Sequence, residues 1–269
     1  MRRLNRRVPS GIHIKAWRRD LRNTKRLIIL TGILAIVALS SPSAMSEVYM
    51  DYDFADGVTW KIGGFEVYDI YQRGEAVGES RVDYSQLTML DQPAYRVEWT
   101  QSWTDENEET TLVEVDVKML ASNLHALMAS RKVVIGEEEW SFEGNYTGHS
   151  LEFGSYYPGE AEREEASLTR GGRYHDADIL PFLLRNMPFE DGNFLTLSVV
   201  DVSMHSFVTP IAKVQGSELV ETANTQYDCW VVNVSMGTEG FTGWYSKTDD
   251  HYLVKIRYTD REIVLNHHS

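Results

Sequence analysis

The chain has 269 residues, one cysteine and a net charge of −14, with 40 acidic residues against 26 basic ones. This excess of negative charge repels phosphate backbones and effectively excludes nucleic-acid binding. A single cysteine permits neither an intramolecular disulfide nor a thiolate zinc cluster. Cys229 lies in a strand-like apolar run, so we expect it to be buried and without a role in function.

The first 46 residues are typical of an export signal. Ten basic residues and one acidic residue accompany the apolar run 27–39, and Ala44-Met45-Ser46 supplies the small residues of a cleavage site. We predict a signal peptide over 1–46, cleaved near Ser46, and a single mature domain over 47–269 in the periplasm or outside the cell. The alternative is an uncleaved membrane anchor, but 13 apolar residues fall short of the ~20 that span a bilayer.

An acidic and aromatic lead-in follows, over residues 47 to about 59. The spacing of Asp51, Asp53 and Asp56 partly matches a calcium loop, but the glycine and the distal glutamate of such a loop do not fit. We therefore expect a lead-in to the first strand, with calcium binding as the less favoured alternative.

From residue 65 onward, apolar and polar residues alternate with a period of two, which predicts strands with one buried face. Strands are predicted over 65–71, 76–84, 95–100, 113–118, 139–146, 150–153 and 166–170. Turns are predicted at 72–75 and at Thr147-Gly148, and an acidic hairpin loop at 105–109. Residues 120–130 are assigned to strand and turn rather than to helix.

One helix is predicted in the mature chain, over about 176–188. Apolar residues recur there at helical spacing. Asp176 or Asp178 could cap its first turn, Pro181 falls where the missing N–H costs little, and Pro188 ends the run.

The same spacing assigns the two faces of this helix. Leu180, Leu183 and Leu184 are expected to be buried, whereas Arg185 and Asn186 are expected to face solvent.

A second set of strands is predicted after the helix. It covers 195–199, 206–214, 217–222, 229–234, 241–246, 252–258 and 261–265, with a turn at Gln215-Gly216. About twelve strands with local connections predict an all-β, mainly antiparallel fold. We picture a long, strongly curved sheet or half-barrel that is partly wrapped around the helix.

Six short motifs stand in a recognisable order along the chain. They are Gly74-Glu75-Ala76-Val77-Gly78-Glu79, Leu180-Pro181-Phe182-Leu183-Leu184-Arg185, Glu218-Leu219-Val220-Glu221-Thr222-Ala223, Tyr227-Asp228-Cys229-Trp230-Val231-Val232, Trp244-Tyr245-Ser246-Lys247 and Tyr252-Leu253-Val254-Lys255. Together they resemble the secreted bacterial family called domain of unknown function 3108 (DUF3108), over roughly residues 65–264. The chain departs from the family at Asn224-Thr225, where the family often has a glycine.

The resemblance implies an envelope protein built on a curved antiparallel sheet that partly encloses a helix. Carriers of lipoproteins through the periplasm use a similar half-barrel. No catalytic residues are assigned in this family, so the resemblance implies none in this chain.

We predict no catalytic residue, metal site or cofactor. The sequence has no G-x-S-x-G elbow, no glycine-rich phosphate loop and no serine–lysine motif. His175, Asp176 and Asp178 are the most chemically suggestive cluster, although the start of a helix explains both aspartates. His267-His268 are expected to lie in a frayed tail.

Three functions remain open from sequence. The first is a non-enzymatic protein that holds a lipid-like ligand or a partner segment in its concave sheet, with Leu180, Leu184, Trp230 and Trp244 as candidate contacts. The second is a carbohydrate hydrolase with an unidentified carboxylate pair. The third is a structural module that binds a partner at an exposed sheet edge.

These functions predict different structures. A deep apolar groove favours the first, two carboxyls ~5–10 Å apart in a polar cleft favour the second, and a filled core favours the third. No stable membrane span is expected after cleavage, and the sequence predicts no oligomeric state.

Overall fold

The structure is a computed structural model that describes residues 48–50, 54, 58–146, 150–160, 162–169 and 174–269. The predicted signal peptide and its cleavage site lie outside these residues. So do the three aspartates of the lead-in and the turn at Thr147-Gly148.

The described residues form eighteen strands, one α-helix and one 3-10 turn. The strands are β1 (Val48–Met50), β2 (Phe65–Gln72), β3 (Glu75–Met89), β4 (Gln92–Thr104), β5 (Thr110–Leu120), β6 (Ala126–Ile135), β7 (Glu138–Asn145), β8 (Ser150–Tyr156), β9 (Glu164–Thr169), β10 (His175–Asp176), β11 (Phe194–Thr196), β12 (Val199–Asp201), β13 (Ser206–Val208), β14 (Ile211–Glu221), β15 (Gln226–Met236), β16 (Glu239–Ser246), β17 (Leu253–Arg257) and β18 (Glu262–His268). The helix α1 covers Leu180–Leu183, and the 3-10 turn Leu184–Asn186 follows it directly.

Fifteen of these strands form one sheet, in the order β1-β11-β14-β15-β16-β17-β18-β2-β3-β4-β5-β6-β7-β8-β9. Every neighbouring pair in it is antiparallel except β1 and β11, which are parallel. Pairing of β18 with β2 joins the two halves of the chain. The sheet is not closed and ends at β1 and β9. The strands β10, β12 and β13 form a second, small sheet.

The large sheet curves around the helix. The ring of Trp99 on β4 meets Phe182 edge to face, with centroids 5.1 Å apart. The hydroxyl of Tyr245 on β16 donates to the carbonyl of Pro181 at 2.9 Å. Four strands lie between β4 and β16, so both can reach one helical turn only if the sheet is strongly curved. The predicted fold class is confirmed, and we call the face that carries the helix the concave face.

The helix is shorter than predicted and begins differently. Only four residues of the predicted 176–188 are α-helical, and the N-cap is Ile179, without a side-chain cap hydrogen bond. Asp176 and Asp178 therefore do not cap the helix, because their carboxylates are engaged by other elements. Pro181 lies in the first turn, as predicted.

The assignment of the helix faces is half right. Three leucines are fully buried as predicted: Leu180, Leu183 and Leu184. Arg185, predicted to face solvent, is 0% exposed. Asn186 is half-buried, and its side-chain oxygen accepts a hydrogen bond from the backbone N–H of Thr59 at 2.7 Å. Helical spacing could not anticipate that the sheet encloses the segment on its polar side as well.

Two local predictions are wrong: the turn that was placed at a glycine and the frayed tail that was placed near the C-terminus. The turn predicted at Gln215-Gly216 is a bulge inside the continuous strand β14, where Gly216 adopts φ +129°. The predicted frayed tail at His267-His268 belongs to β18 and pairs with β2. The imidazole of His268 also stacks on Tyr252, with centroids 4.0 Å apart.

Other local predictions are confirmed. Arg73 and Gly74 form the turn between β2 and β3, and the acidic stretch 105–109 connects β4 to β5. Residues 120–130 form the end of β5, a turn and the start of β6.

Candidate functional site

The four predicted ligand contacts do not form one surface. Leu180 and Leu184 are fully buried on the concave face. Trp230 is half-buried, with the ammonium group of Lys247 at 4.7 Å from its ring centroid. Trp244 is 4% exposed and belongs to a different part of the molecule.

Trp244 lies on the convex face, opposite the helix. Its neighbour Tyr245 points toward the helix, and successive strand residues point to opposite faces. Trp244 forms a small second core with Val220, Cys229 and Val254. Burial raises the pKa of the Cys229 thiol to about 12, so the predicted buried cysteine is confirmed.

The end of the helical segment is held by a buried ion pair. Arg185 donates to the carboxylate of Glu66 and, at 2.8 Å, to the carbonyl of Asp250. The hydroxyls of Tyr68 and Tyr84 also donate to Glu66. Burial, followed by the charge of Glu66, raises the pKa of both tyrosines well above the usual value. These partners fill this end of the concave face with protein atoms.

The start of the helical segment carries an acidic cluster. Asp176 is 1% exposed, and its carboxylate accepts the hydroxyl of Tyr146 at 2.9 Å and the backbone N–H of Asp178 at 2.9 Å. Asp178 forms an ion pair with Arg131 at 2.7 Å. Asp201 lies near enough for its charge to act on both aspartates.

Electrostatics in this acidic cluster oppose ionisation. Burial, and then the charge of Asp178, raises the pKa of Asp176 well above its usual value. Burial also raises the pKa of Asp178, although the charge of Arg131 opposes the rise. Raised carboxyl pKa values are common in active sites, but a carboxyl with 1% exposure offers a substrate no access.

His175 does not extend this cluster into a metal site. Its Nδ1 lies 2.9 Å from the carbonyl of Leu124, and its ring meets Phe54 edge to face at 5.2 Å. Within the described part of the chain, no group of three histidine, cysteine or acidic residues could hold a metal ion. Two members of the cluster noted in the sequence, His175 and Asp176, are therefore built into the core, and Asp178 is half-buried.

A cleft of about 390 Å³ lies on the convex face of β5 to β8. Its lining residues are Asp116, Lys118, Met128, Ala129, Ser130, Glu143, Gly144, Asn145, Glu152 and Arg163. We call this feature the polar cleft. Its size lies within the range of small-ligand sites, ~300–1,000 Å³, but seven of its ten lining residues are polar or charged.

One side of the polar cleft is fixed by ion pairs around Asp116. Arg96 approaches this carboxylate at 2.9 Å and Lys118 at 3.0 Å. Burial pushes the pKa of Asp116 upward, but hydrogen bonds from Arg96 and Lys118 outweigh it and lower the pKa. Asp116 therefore remains ionised and is unsuited to be a general acid near neutral pH.

The other side of the polar cleft is formed by Arg163. Its guanidinium lies against the backbone of Gly154, where a Cβ would collide with it, and pairs with Glu143 at 3.2 Å. Glu152, on the same face, has no ion-pair partner among the residues that the structure describes.

The polar cleft leads to the open edge of the sheet. Glu143 on β7 is paired with Gly154 on β8, which is paired with Glu165 on β9. In the described ranges, no strand pairs with the far side of β9, so its backbone edge is open. We call this feature the open edge.

Alternation along β9 divides its side chains between the two faces. Half-buried residues occupy the concave face: Glu164, Ala166 and Leu168. Exposed residues occupy the convex face: Glu165, Ser167 and Thr169. Sequence reasoning predicted a strand over 166–170 but could not show that it ends the sheet, because pairing order depends on distant strands.

Comparison with known proteins gives a family and a fold. A family model described as "Protein of unknown function (DUF3108)" matches residues 67–261. Among solved structures, the chain is similar to the "Beta-barrel-like Protein of Domain of Unknown Function DUF1849 from Brucella abortus". That match has a TM-score of 0.51 at 10% identity and covers 77% of this chain and 97% of the other. No curated protein matches the chain.

In the portion of the chain that is described, no helix is long and apolar enough to cross a lipid bilayer.

Proposed function

Because the chain belongs to the DUF3108 family, whose description states no activity, we propose a function from the geometry. The protein is a non-enzymatic component of the bacterial envelope that binds an extended segment of a partner protein along the open edge at β9.

The open edge is the observation that carries this proposal. An edge strand presents unpaired N–H and C=O groups that can pair with an added strand. The strand β9 has six residues, enough for several backbone hydrogen bonds with an extended segment. All six residues pair with β8 on the other side, so the open edge belongs to a strand that is fully paired within the sheet.

Packing on the concave face makes an enclosed lipid-like ligand the less supported function. The candidate contacts Leu180 and Leu184 are covered by the protein itself, and Trp244 lies on the other face. A ligand there would have to displace the helical segment and expose the ion pair of Arg185 and Glu66.

A hydrolase is also less supported. The carboxyls of Asp176 and Asp178 have the raised pKa values of an acid catalyst, but Asp176 lies inside the core and Asp178, whose side chain is 15% exposed, is held in an ion pair with Arg131. Asp116 lines an open cleft but has a lowered pKa. An acid that is both accessible and protonated at neutral pH is what this chemistry requires.

Crosslinking in the native bacterium tests the proposal. A photoreactive residue replaces Ser167, which is exposed on β9, or Leu219, which is 63% exposed on β14 and serves as the control. We expect a discrete protein adduct from position 167 and none from 219. Adducts of equal yield from both positions, or none from 167, would overturn the proposal.

Proline variants show whether the open edge itself is used. Consecutive residues of an antiparallel strand direct their N–H groups to opposite sides. With the photoreactive residue kept at position 167, one of the variants Glu165→Pro and Ala166→Pro therefore removes an N–H from the open edge, and the other breaks the pairing with β8. The variant that removes the edge N–H should fold normally and lose the adduct, since proline is tolerated on edge strands.

Mass analysis of the adduct also tests the predicted signal cleavage. It should find an N-terminus within two or three residues of Glu47; an intact N-terminus would mean a membrane anchor.

A further inference from the structure

We propose that the open edge selects a basic extended segment, in which lysine or arginine alternates with apolar residues. This inference rests on the proposed edge binding and assigns the chemistry of the partner. It follows from the two faces of β9 and from the charges beside them.

On the concave face of β9, apolar side chains of an added strand would be favoured. Ala166 and Leu168 remain half-buried there. A strand added to β9 would set every second side chain beside these two, because paired strands keep their faces aligned. Apolar side chains at those positions would complete the burial of Leu168.

On the convex face of β9, positively charged side chains of an added strand would be favoured. Glu165 is exposed and has no ion-pair partner among the described residues. The residue of an added strand directly opposite it would have its Cβ at about 4.5–5.5 Å, where opposite charges stabilise and like charges destabilise. A lysine or arginine therefore suits this position.

A second basic position lies two residues further along the added strand. It would stand opposite Ser167, whose partner on β8 is Glu152. A long basic side chain can extend across the small serine toward that carboxylate, at the margin of the polar cleft. Arg163 cannot supply this charge, because it is already paired with Glu143.

Acidic residues before β9 extend the same charge. Glu160 and Glu162 are exposed in the connection from β8. Together with the net charge of −14, they favour association with a basic chain and oppose association with a second acidic copy of this protein.

Synthetic peptides test the inference on the purified protein. The probe has seven residues, alternating lysine with valine, and carries a fluorophore. The first control replaces each lysine with glutamate. The second keeps the lysines but methylates alternate backbone nitrogens, which removes the donors for strand addition. We expect binding of the lysine peptide alone, weakened by salt.

Charge reversal on β9 supplies the matched protein variants. Glu165→Lys should weaken binding of the lysine peptide by about 3- to 10-fold and improve binding of the glutamate peptide. Glu239→Lys, at the exposed start of β16, makes the same change in net charge away from β9 and should have less than about 2-fold effect. Equal losses in both variants would show that only net charge matters, and would overturn the inference.

Failure of the inference is distinguishable from failure of the proposed function. If lysine and glutamate peptides bind equally and backbone methylation of the lysine peptide abolishes its binding, the edge binds strands without selecting charge. If methylation has no effect, or nothing binds, the open edge is not a strand-binding site and both proposals fail.

Discussion

The two ends of the helical segment bury charge in opposite ways. After the helix, one guanidinium, that of Arg185, meets one carboxylate, that of Glu66, and two tyrosine hydroxyls complete the site. Before the helix, three carboxylates lie near the single guanidinium of Arg131. The first end is balanced in charge, and the second has an excess of negative charge.

This difference separates two roles of buried charge. A balanced pair fixes geometry, because removing either partner leaves an uncompensated charge in the core. An unbalanced cluster instead makes stability depend on pH, because some of its carboxyls bind protons more readily than in the unfolded chain. The helix is thus anchored at one end by pairing and, at the other, by a site that titrates.

The largest effect should follow from Arg185→Ala. It leaves the carboxylate of Glu66, which is 4% exposed, without its cation. We expect a loss of about 3–5 kcal/mol in the free energy of unfolding, measured by urea denaturation. The matched variant is Arg131→Ala, whose side chain is 32% exposed and whose loss should be smaller because water reaches that pair. Equal losses would mean that the two ends do not differ in this way.

The next effect concerns packing between the two ends. Leu183 is fully buried, and Leu183→Ala leaves a cavity that should cost about 2–5 kcal/mol. Because no charge is removed, the cost should be the same at pH 5 and pH 7. A cost that changes strongly between these pH values would show that the helix is coupled to the acidic cluster through its packing.

Much of this fold could be predicted from local pattern. Alternation identified long strands such as β4 and β5, and the apolar spacing around Leu183 identified the helical segment. The predicted number of strands, about twelve, was low because very short strands show no measurable period: β10 has only two residues, and β11 and β12, with three residues each, were predicted as one strand over 195–199.

The polar interior could not be predicted in the same way. Arg185 and Glu66 are 119 residues apart in sequence, and nothing local indicates that they meet. The same holds for Asp178 and Arg131, which are 47 residues apart. Helix-capping rules explained both aspartates plausibly and incorrectly, because tertiary partners outweighed the local hydrogen bonds available to them.

The smallest effect at neutral pH should follow from Asp176→Asn. The amide oxygen can still accept the N–H of Asp178, and the amide nitrogen can donate to the hydroxyl of Tyr146, so the geometry is kept. We expect a change below about 1 kcal/mol at pH 7. The informative quantity is how that change depends on pH.

The sign of this dependence follows from the raised pKa. Burial and the charge of Asp178 raise the pKa of Asp176 in the folded state above its usual value of 3.8. The folded protein therefore holds this proton more tightly than the unfolded chain does. Its stabilising contribution is complete below about pH 3.8 and is lost as pH rises through the higher, folded-state pKa.

Asp176→Asn removes this contribution. The free energy of unfolding of the variant, relative to that of the natural protein, should therefore be higher at pH 7 than at pH 4.5. Urea denaturation at both pH values measures the difference, with Leu183→Ala as the variant that should show none. A constant difference between Asp176→Asn and the natural protein would mean that Asp176 does not make the start of the helix titrate.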